Sequence, residues 1–130
     1  METIVSDAHP IRVMLVEDEF LISEWVAETL SDYGFAVRTA TNAVDALRQI
    51  MLAPVDVLFT DMVMPGGMTG FDLAHAALAA RPGLKVLFTS GYAEPAIARL
   101  GLKAGAWLKK PYTADELAEK VREVLHGPQA

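Results

Sequence analysis

The sequence predicts an α/β fold: a doubly wound, five-stranded parallel sheet with helices on both faces. Three observations predict it. Strand-like and helix-like segments alternate five times along the chain, and alternation of this kind builds βαβ units around a parallel sheet. The strand candidates are near-continuously apolar, as strands covered on both faces are. Gly and Pro punctuate the segment ends, where they stop helices and begin turns.

The elements follow in order. Val13-Met14-Leu15-Val16 is a short apolar run ended by acids. Phe20 to about Tyr33 has helical periodicity and stops at Gly34, which suits a left-handed cap. Phe35 to Thr39 is a weaker strand candidate. Ala43 to Leu52 reads as a helix with Val44, Leu47, Ile50 and Met51 on one side, and Pro54 ends it. Val55 to Thr60 is the next strand, running into Asp61 and then into Met62-Val63-Met64-Pro65-Gly66-Gly67. Phe71 to Ala80 is an Ala-rich helix stopped by Arg81-Pro82-Gly83, and Leu84 to Thr89 is the fourth strand. Ala93 to about Lys103 is a short helix, and Ala106 to Lys109 a short last strand. Thr113 to Leu125 closes the chain; Thr113 and Glu116 have the spacing of a capping box.

One domain accommodates the 130 residues, with Met1 to Pro10 and 127–130 as short tails. Eleven Lys and Arg against 17 Asp and Glu give a net charge of −6. There is no basic stripe, so direct nucleic-acid binding is not expected. Cysteine is absent, which removes disulfides and thiolate metal sites. No apolar run approaches the ~20 residues of a membrane span, and the acidic N-terminus lacks the pattern of a signal peptide. A cytoplasmic location, with no membrane partner, is the expectation. The chain stops soon after the closing helix, so no DNA-binding or catalytic output domain is expected.

An Asp after a strand is by itself a turn former or helix cap. The other strand ends change that reading. Right-handed crossovers bring the carboxyl ends of parallel strands to one edge, where open α/β sheets bind ligands. Glu17, Asp18 and Glu19 follow the first strand, Asp61 the third, Ser90 the fourth, and Lys109, Lys110 and Pro111 the fifth. Adjacent carboxylates repel unless a positive charge sits among them. A site with oxygen donors alone suits Mg²⁺. Asp61 would then be both metal ligand and nucleophile, since a carboxylate can accept a phosphoryl group. Mg²⁺ and a Lys ammonium would neutralise charge, and a Ser hydroxyl would hydrogen-bond a phosphoryl oxygen.

The motifs Leu15-Val16-Glu17-Asp18-Glu19, Asp61-Met62-Val63-Met64-Pro65, Phe88-Thr89-Ser90-Gly91 and Lys109-Lys110-Pro111-Tyr112 stand in this order on these strand ends. From Ile11 to His126 the chain resembles the receiver domain of bacterial two-component response regulators, a flavodoxin-like (βα)5 fold. The resemblance implies a signalling phosphoacceptor in a phosphorelay and not an enzyme in the ordinary sense. It implies Asp61 as phosphoacceptor, with Glu17, Asp18, Asp61 and the main-chain carbonyl of Val63 at Mg²⁺. Lys110 would pair with the phosphoryl group and Ser90 would follow it on activation. The Lys110–Pro111 bond would be cis, and Trp107 sits where the family carries a switching aromatic. The partner would be a sensor histidine kinase or a histidine phosphotransfer protein, docked on Leu21, Ile22, Trp25, Pro111 and Tyr112.

Other readings stand beside these. Trp107 is bulkier than the aromatics usual there and could pack statically. Lys109 reads as a solvated lysine and Glu19 as an acid favoured by the helix dipole. Thr89 competes with Ser90 for the hydroxyl role, but strand alternation and Gly91 favour Ser90. His9, His75 and His126 are scattered surface residues, and the methionines are core filler. The glycines after Pro65 either admit a phosphoryl group to main-chain amides or simply make a turn. The apolar band of the first helix leaves Phe20, Leu21 and Trp25 facing outward. Val63 and Tyr92 flank the site where polar residues could orient water, so slow self-dephosphorylation is expected. A degenerate receiver that only binds partners is the alternative, and the full set of five site residues argues against it. A hydrolase of the aspartyl-phosphate class would carry an acid at position 63, where this chain has Val. Homodimerisation through the last strand and helix stays open.

Overall fold

The computed structural model describes residues 9–62, 67–90 and 107–126. The expected helix from Ala93 to Lys103, the roles given to Val63, Gly91 and Tyr92, and both extreme tails lie outside the described residues. Within them, β1 (Arg12–Val16), α1 (Phe20–Asp32), β2 (Ala36–Ala40), α2 (Ala43–Leu52) and β3 (Val57–Asp61) are followed by α3 (Gly70–Ala80), β4 (Lys85–Ser90), β5 (Trp107–Lys109) and α4 (Ala114–His126). All five strands pair in parallel in the order β2-β1-β3-β4-β5. β1 and β3 are therefore central neighbours, and the residues that follow them meet.

Side chains on a strand alternate between faces, and here the alternation sorts the core into two halves. Val13, Leu15, Val57, Phe59, Leu87 and Leu108 pack against Val26 and Leu30 of α1 and Leu117, Val121 and Val124 of α4. Met14, Val16, Leu58, Val86 and Phe88 pack against Ala43, Ala46 and Ile50 of α2 and Leu73, Ala74 and Ala77 of α3. Each fully buried Leu or Val contributes roughly 1.5–3 kcal/mol from removal of apolar surface from water. Ala at the α3 contacts lets that helix lie close on the sheet.

Local signals set the ends. Gly34 takes φ +94°, where a side chain would be strained, and ends α1. Thr113 and Glu116 form the expected reciprocal cap, with the Glu116 N–H donating to the Thr113 hydroxyl and the Thr113 N–H to the Glu116 carboxylate. An unforeseen second one, Thr69 with Asp72, starts α3 one residue early, at Gly70.

Two expectations are corrected. β2 is not an apolar buried strand: it is the sheet edge, and Ala36, Arg38 and Thr39 are exposed. An edge strand is covered on fewer sides, so its sequence can be more polar. Val44 and Met51 do not share the inner side of α2 with Ile50; they are 64% and 58% exposed, and Ala43, Ala46 and Ile50 form the buried stripe. Small Ala residues carried the inward face, which a search for large apolar residues misses.

The candidate phosphoacceptor site and its neighbouring groove

β1 ends at Val16, so Glu17 and Asp18 begin the loop at the carboxyl edge. Glu17 is buried and Asp18 exposed. The Glu17 carboxylate accepts the Glu19 main-chain N–H at 3.1 Å, closing the turn into α1. Glu19 occupies the cap position of α1 without a side-chain cap bond. Asp61 is the last residue of β3 and is buried. One carboxylate oxygen from each of Glu17, Asp18 and Asp61 lies within 4.8 Å of the others.

Lys110 follows β5 and enters this cluster. Its Nζ donates to Asp61 Oδ2 at 2.7 Å and sits 3.7 Å from Glu17 Oε1. The Lys110–Pro111 peptide is cis, and the Lys110 N–H donates to the Ser90 carbonyl at 3.0 Å, which ties the loop to β4. Burial disfavours the Lys110 ammonium, but the Asp61 hydrogen bond and the charges of Asp61, Glu17 and Glu19 outweigh it and hold its pKa above the ordinary lysine value. Burial pushes the Glu17 carboxyl up; Asp61 and Asp18 add to the shift, while the Glu19 N–H and Lys110 oppose it. Three carboxylates against one ammonium leave the site net negative. An all-oxygen set this close fits a hard divalent cation.

Ser90 ends β4 and is buried at this edge, in register with Lys109. Lys109 is exposed, as expected of a solvated lysine. Trp107 begins β5 half-buried and packs on the α2–α3 side, where its indole N–H is buried without a hydrogen-bond partner. The three histidines are exposed.

Leu21, Ile22, Trp25, Pro111 and Tyr112 line a single groove of about 330 Å³, and Lys110 forms its wall toward the carboxylates. Leu21 and Trp25 are 77% and 43% exposed, and Phe20 beside them 72%. Tyr112 lies between groove and core, its ring 6.0 Å from that of Trp25 and edge-on to Phe59 at 6.2 Å. Burial, then the negative charges of Glu17 and Asp61, drive its phenol well above the ordinary tyrosine value, with the Thr89 hydroxyl opposing the shift. Three neighbours of Asp61 escaped the sequence reading: Thr60, Gly70 and the main chain of Thr89. Thr60 was legible as a hydroxyl in an otherwise apolar strand, a residue that needs a partner once buried.

Against known proteins, the model of the response regulator receiver domain matches residues 13–122. The chain is 37% identical over 118 residues to the sensor kinase CckA of Brucella abortus, covering 87% of this chain and 12% of that protein. It is 34% identical over 115 residues to the transcriptional regulatory protein CreB of Escherichia coli K12, covering 87% of this chain and 50% of that one. It thus spans half or less of these curated relatives. The structure of the Vibrio cholerae chemotaxis protein CheY4 superposes with a TM-score of 0.79 at 29% identity, covering 91% of this chain and all of that one. Strand order, the carboxylate cluster at the sheet edge and these likenesses converge: the chain belongs to the response regulator receiver domain family.

Proposed function

We propose that the chain takes a phosphoryl group from a phosphohistidine onto Asp61 and changes its protein contacts in response. The observation that carries this reading is the 2.7 Å contact of Lys110 Nζ with Asp61 Oδ2, inside a cluster of three carboxylates. Glu17, Asp18 and Asp61 would hold Mg²⁺, with the Val63 carbonyl as a further ligand. Bound there, Mg²⁺ supplies positive charge to the phosphoryl oxygens. An Asp61 carboxylate oxygen attacks phosphorus, the P–N bond breaks, and the imidazole nitrogen leaves with the electron pair. Lys110 steadies the charge on the phosphoryl oxygens. Ser90, buried at the adjacent strand end, supplies a hydroxyl to the product, and Trp107, in register with Phe88 on the α2–α3 side, is the candidate for the switch.

The donor is a sensor histidine kinase or histidine phosphotransfer protein. An apolar groove that shares Lys110 with the site supports docking on Leu21, Ile22, Trp25, Pro111 and Tyr112. Action as a free-standing receiver is the reading favoured by the match to the whole length of CheY4. Among the described residues no helix is long and apolar enough to cross a membrane.

Labelling with radioactive phosphoramidate and Mg²⁺ tests the proposal. Acid-stable, base-labile label on the wild type, absent from Asp61→Asn, is expected. No label, or label that survives Asp61→Asn, overturns it.

A further inference from the structure

The peptide that joins Asp61 to Met62 is held from three sides. Its carbonyl accepts the Thr60 hydroxyl at 3.0 Å. Its N–H donates to the Thr89 carbonyl at 3.0 Å. Against it lies Gly70, the first residue of α3; a Cβ there would stand 1.9 Å from the Asp61 carbonyl oxygen and 3.1 Å from Thr60 Oγ1. Thr60 is completely buried, among the apolar residues on the α2–α3 side of the sheet. Val or Ile would fill that position without leaving a polar atom to satisfy.

From this geometry we infer that Thr60 is a positioning residue for the phosphoacceptor, and that Gly70 is the close-packed stop on the same peptide. Asp61, at the last position of its strand, is laddered on one side only: it pairs with Thr89 of β4, whereas the β1 ladder stops at Thr60. The orientation of the Asp61 carboxylate follows the rotation of the peptide after it. The Thr60 hydroxyl and the Thr89 carbonyl fix that rotation from opposite ends of one peptide plane. The Asp61 side chain is thereby held toward Lys110, on the face opposite to Thr60. Catalysis by positioning needs such restraint, because a misplacement of about 1 Å can cost up to ~100-fold in rate.

This inference rests on the proposed phosphoacceptor role, and its test separates the two. Thr60→Val removes the hydroxyl and keeps the shape; Thr60→Ser keeps the hydroxyl. Each variant is read for its denaturant midpoint, its Met62 amide shift and its labelling rate by phosphoramidate with saturating Mg²⁺, corrected to folded protein. Thr60→Val is expected to label roughly tenfold more slowly with a displaced Met62 amide, and Thr60→Ser to behave as the wild type. Gly70→Ala, whose Cβ would press on the Asp61 carbonyl and on the Thr60 hydroxyl, is expected to slow labelling as well. Equal rates and equal Met62 shifts in the wild type and Thr60→Val overturn the inference, whatever the midpoints show. A wild type that takes no label sinks the phosphoacceptor reading alone. The Met62 shifts of the Val and Ser variants then still decide whether the peptide is clamped.

Discussion

Lys110 is the only cation placed among the three carboxylates in the described residues, and Lys110→Met tests how much the apo site depends on it. Met keeps much of the stem and removes the charge. At the observed 2.7 Å, the bare attraction to Asp61 is roughly 6 kcal/mol at an effective dielectric of ~20. Desolvation of both partners consumes much of this, several kcal/mol per ion when burial is complete. Removing one partner of a fully buried pair costs ~3–5 kcal/mol, and of a surface pair ~0–1 kcal/mol. The Lys110 side chain is 28% exposed and that of Asp61 11%, so the expected loss is about 1–3 kcal/mol. The variant should also bind Mg²⁺ more tightly, because the competing ammonium has gone. A tenfold gain in affinity returns about 1.4 kcal/mol at saturating metal. Urea unfolding followed by tryptophan fluorescence, in EDTA and in Mg²⁺, measures both effects. The reasoning fails if Lys110→Met is as stable as the wild type in EDTA, or if Mg²⁺ stabilises the two proteins equally. Its labelling by phosphoramidate should fall as well, since Mg²⁺ does not replace the ammonium at the phosphoryl oxygens.

Glu17→Gln should stabilise the metal-free protein at neutral pH and weaken Mg²⁺ binding. The folded protein holds the Glu17 carboxyl above its ordinary pKa, chiefly through burial. The folded state therefore binds more protons than the unfolded one across the window upward from the ordinary glutamate value, and stability falls as pH rises through it. That part of the slope should vanish in Glu17→Gln; an unchanged pH profile of unfolding in EDTA would contradict it. For Lys110, also raised in the fold, the sign is the same and the window higher: its contribution is complete below the ordinary lysine value and is lost as pH rises through the folded value. Trp25→Ala should slow transfer from a phosphohistidine protein roughly tenfold through lost docking and leave labelling by phosphoramidate unchanged. Equal slowing with both donors would place Trp25 in the chemistry and not in recognition.

Much of the site was legible because its members sit at strand ends. A run such as Val57-Leu58-Phe59 must be buried on both faces, and the polar residue that ends it must emerge at the sheet edge. Glu17, Asp18, Asp61, Ser90 and Lys110 could therefore be placed together from order alone. The outward lean of Phe20, Leu21 and Trp25 was also legible, since Val26 and Leu30 claim the inward stripe of α1. The inward face of α2 was not, because its buried stripe is made mostly of alanine, which hydropathy weighs lightly. Nor was the polar edge strand β2, whose exposure depends on its place in the strand order.

Composition, periodicity and punctuation by themselves determined the fold class, the element sequence and which side chains reach the carboxyl edge. Those follow from rules local to the chain: how often an apolar residue recurs, and what ends each run. Tertiary structure alone decided that Lys110 bridges Asp61 and Glu17, that Tyr112 joins the groove to the core beside Phe59, and that Thr60, Thr89 and Gly70 grip one peptide. Contacts between residues dozens of positions apart depend on register and on how closely a helix approaches a strand. Such distances are a property of the packed whole, set by volumes on both faces of the sheet and not by any one segment.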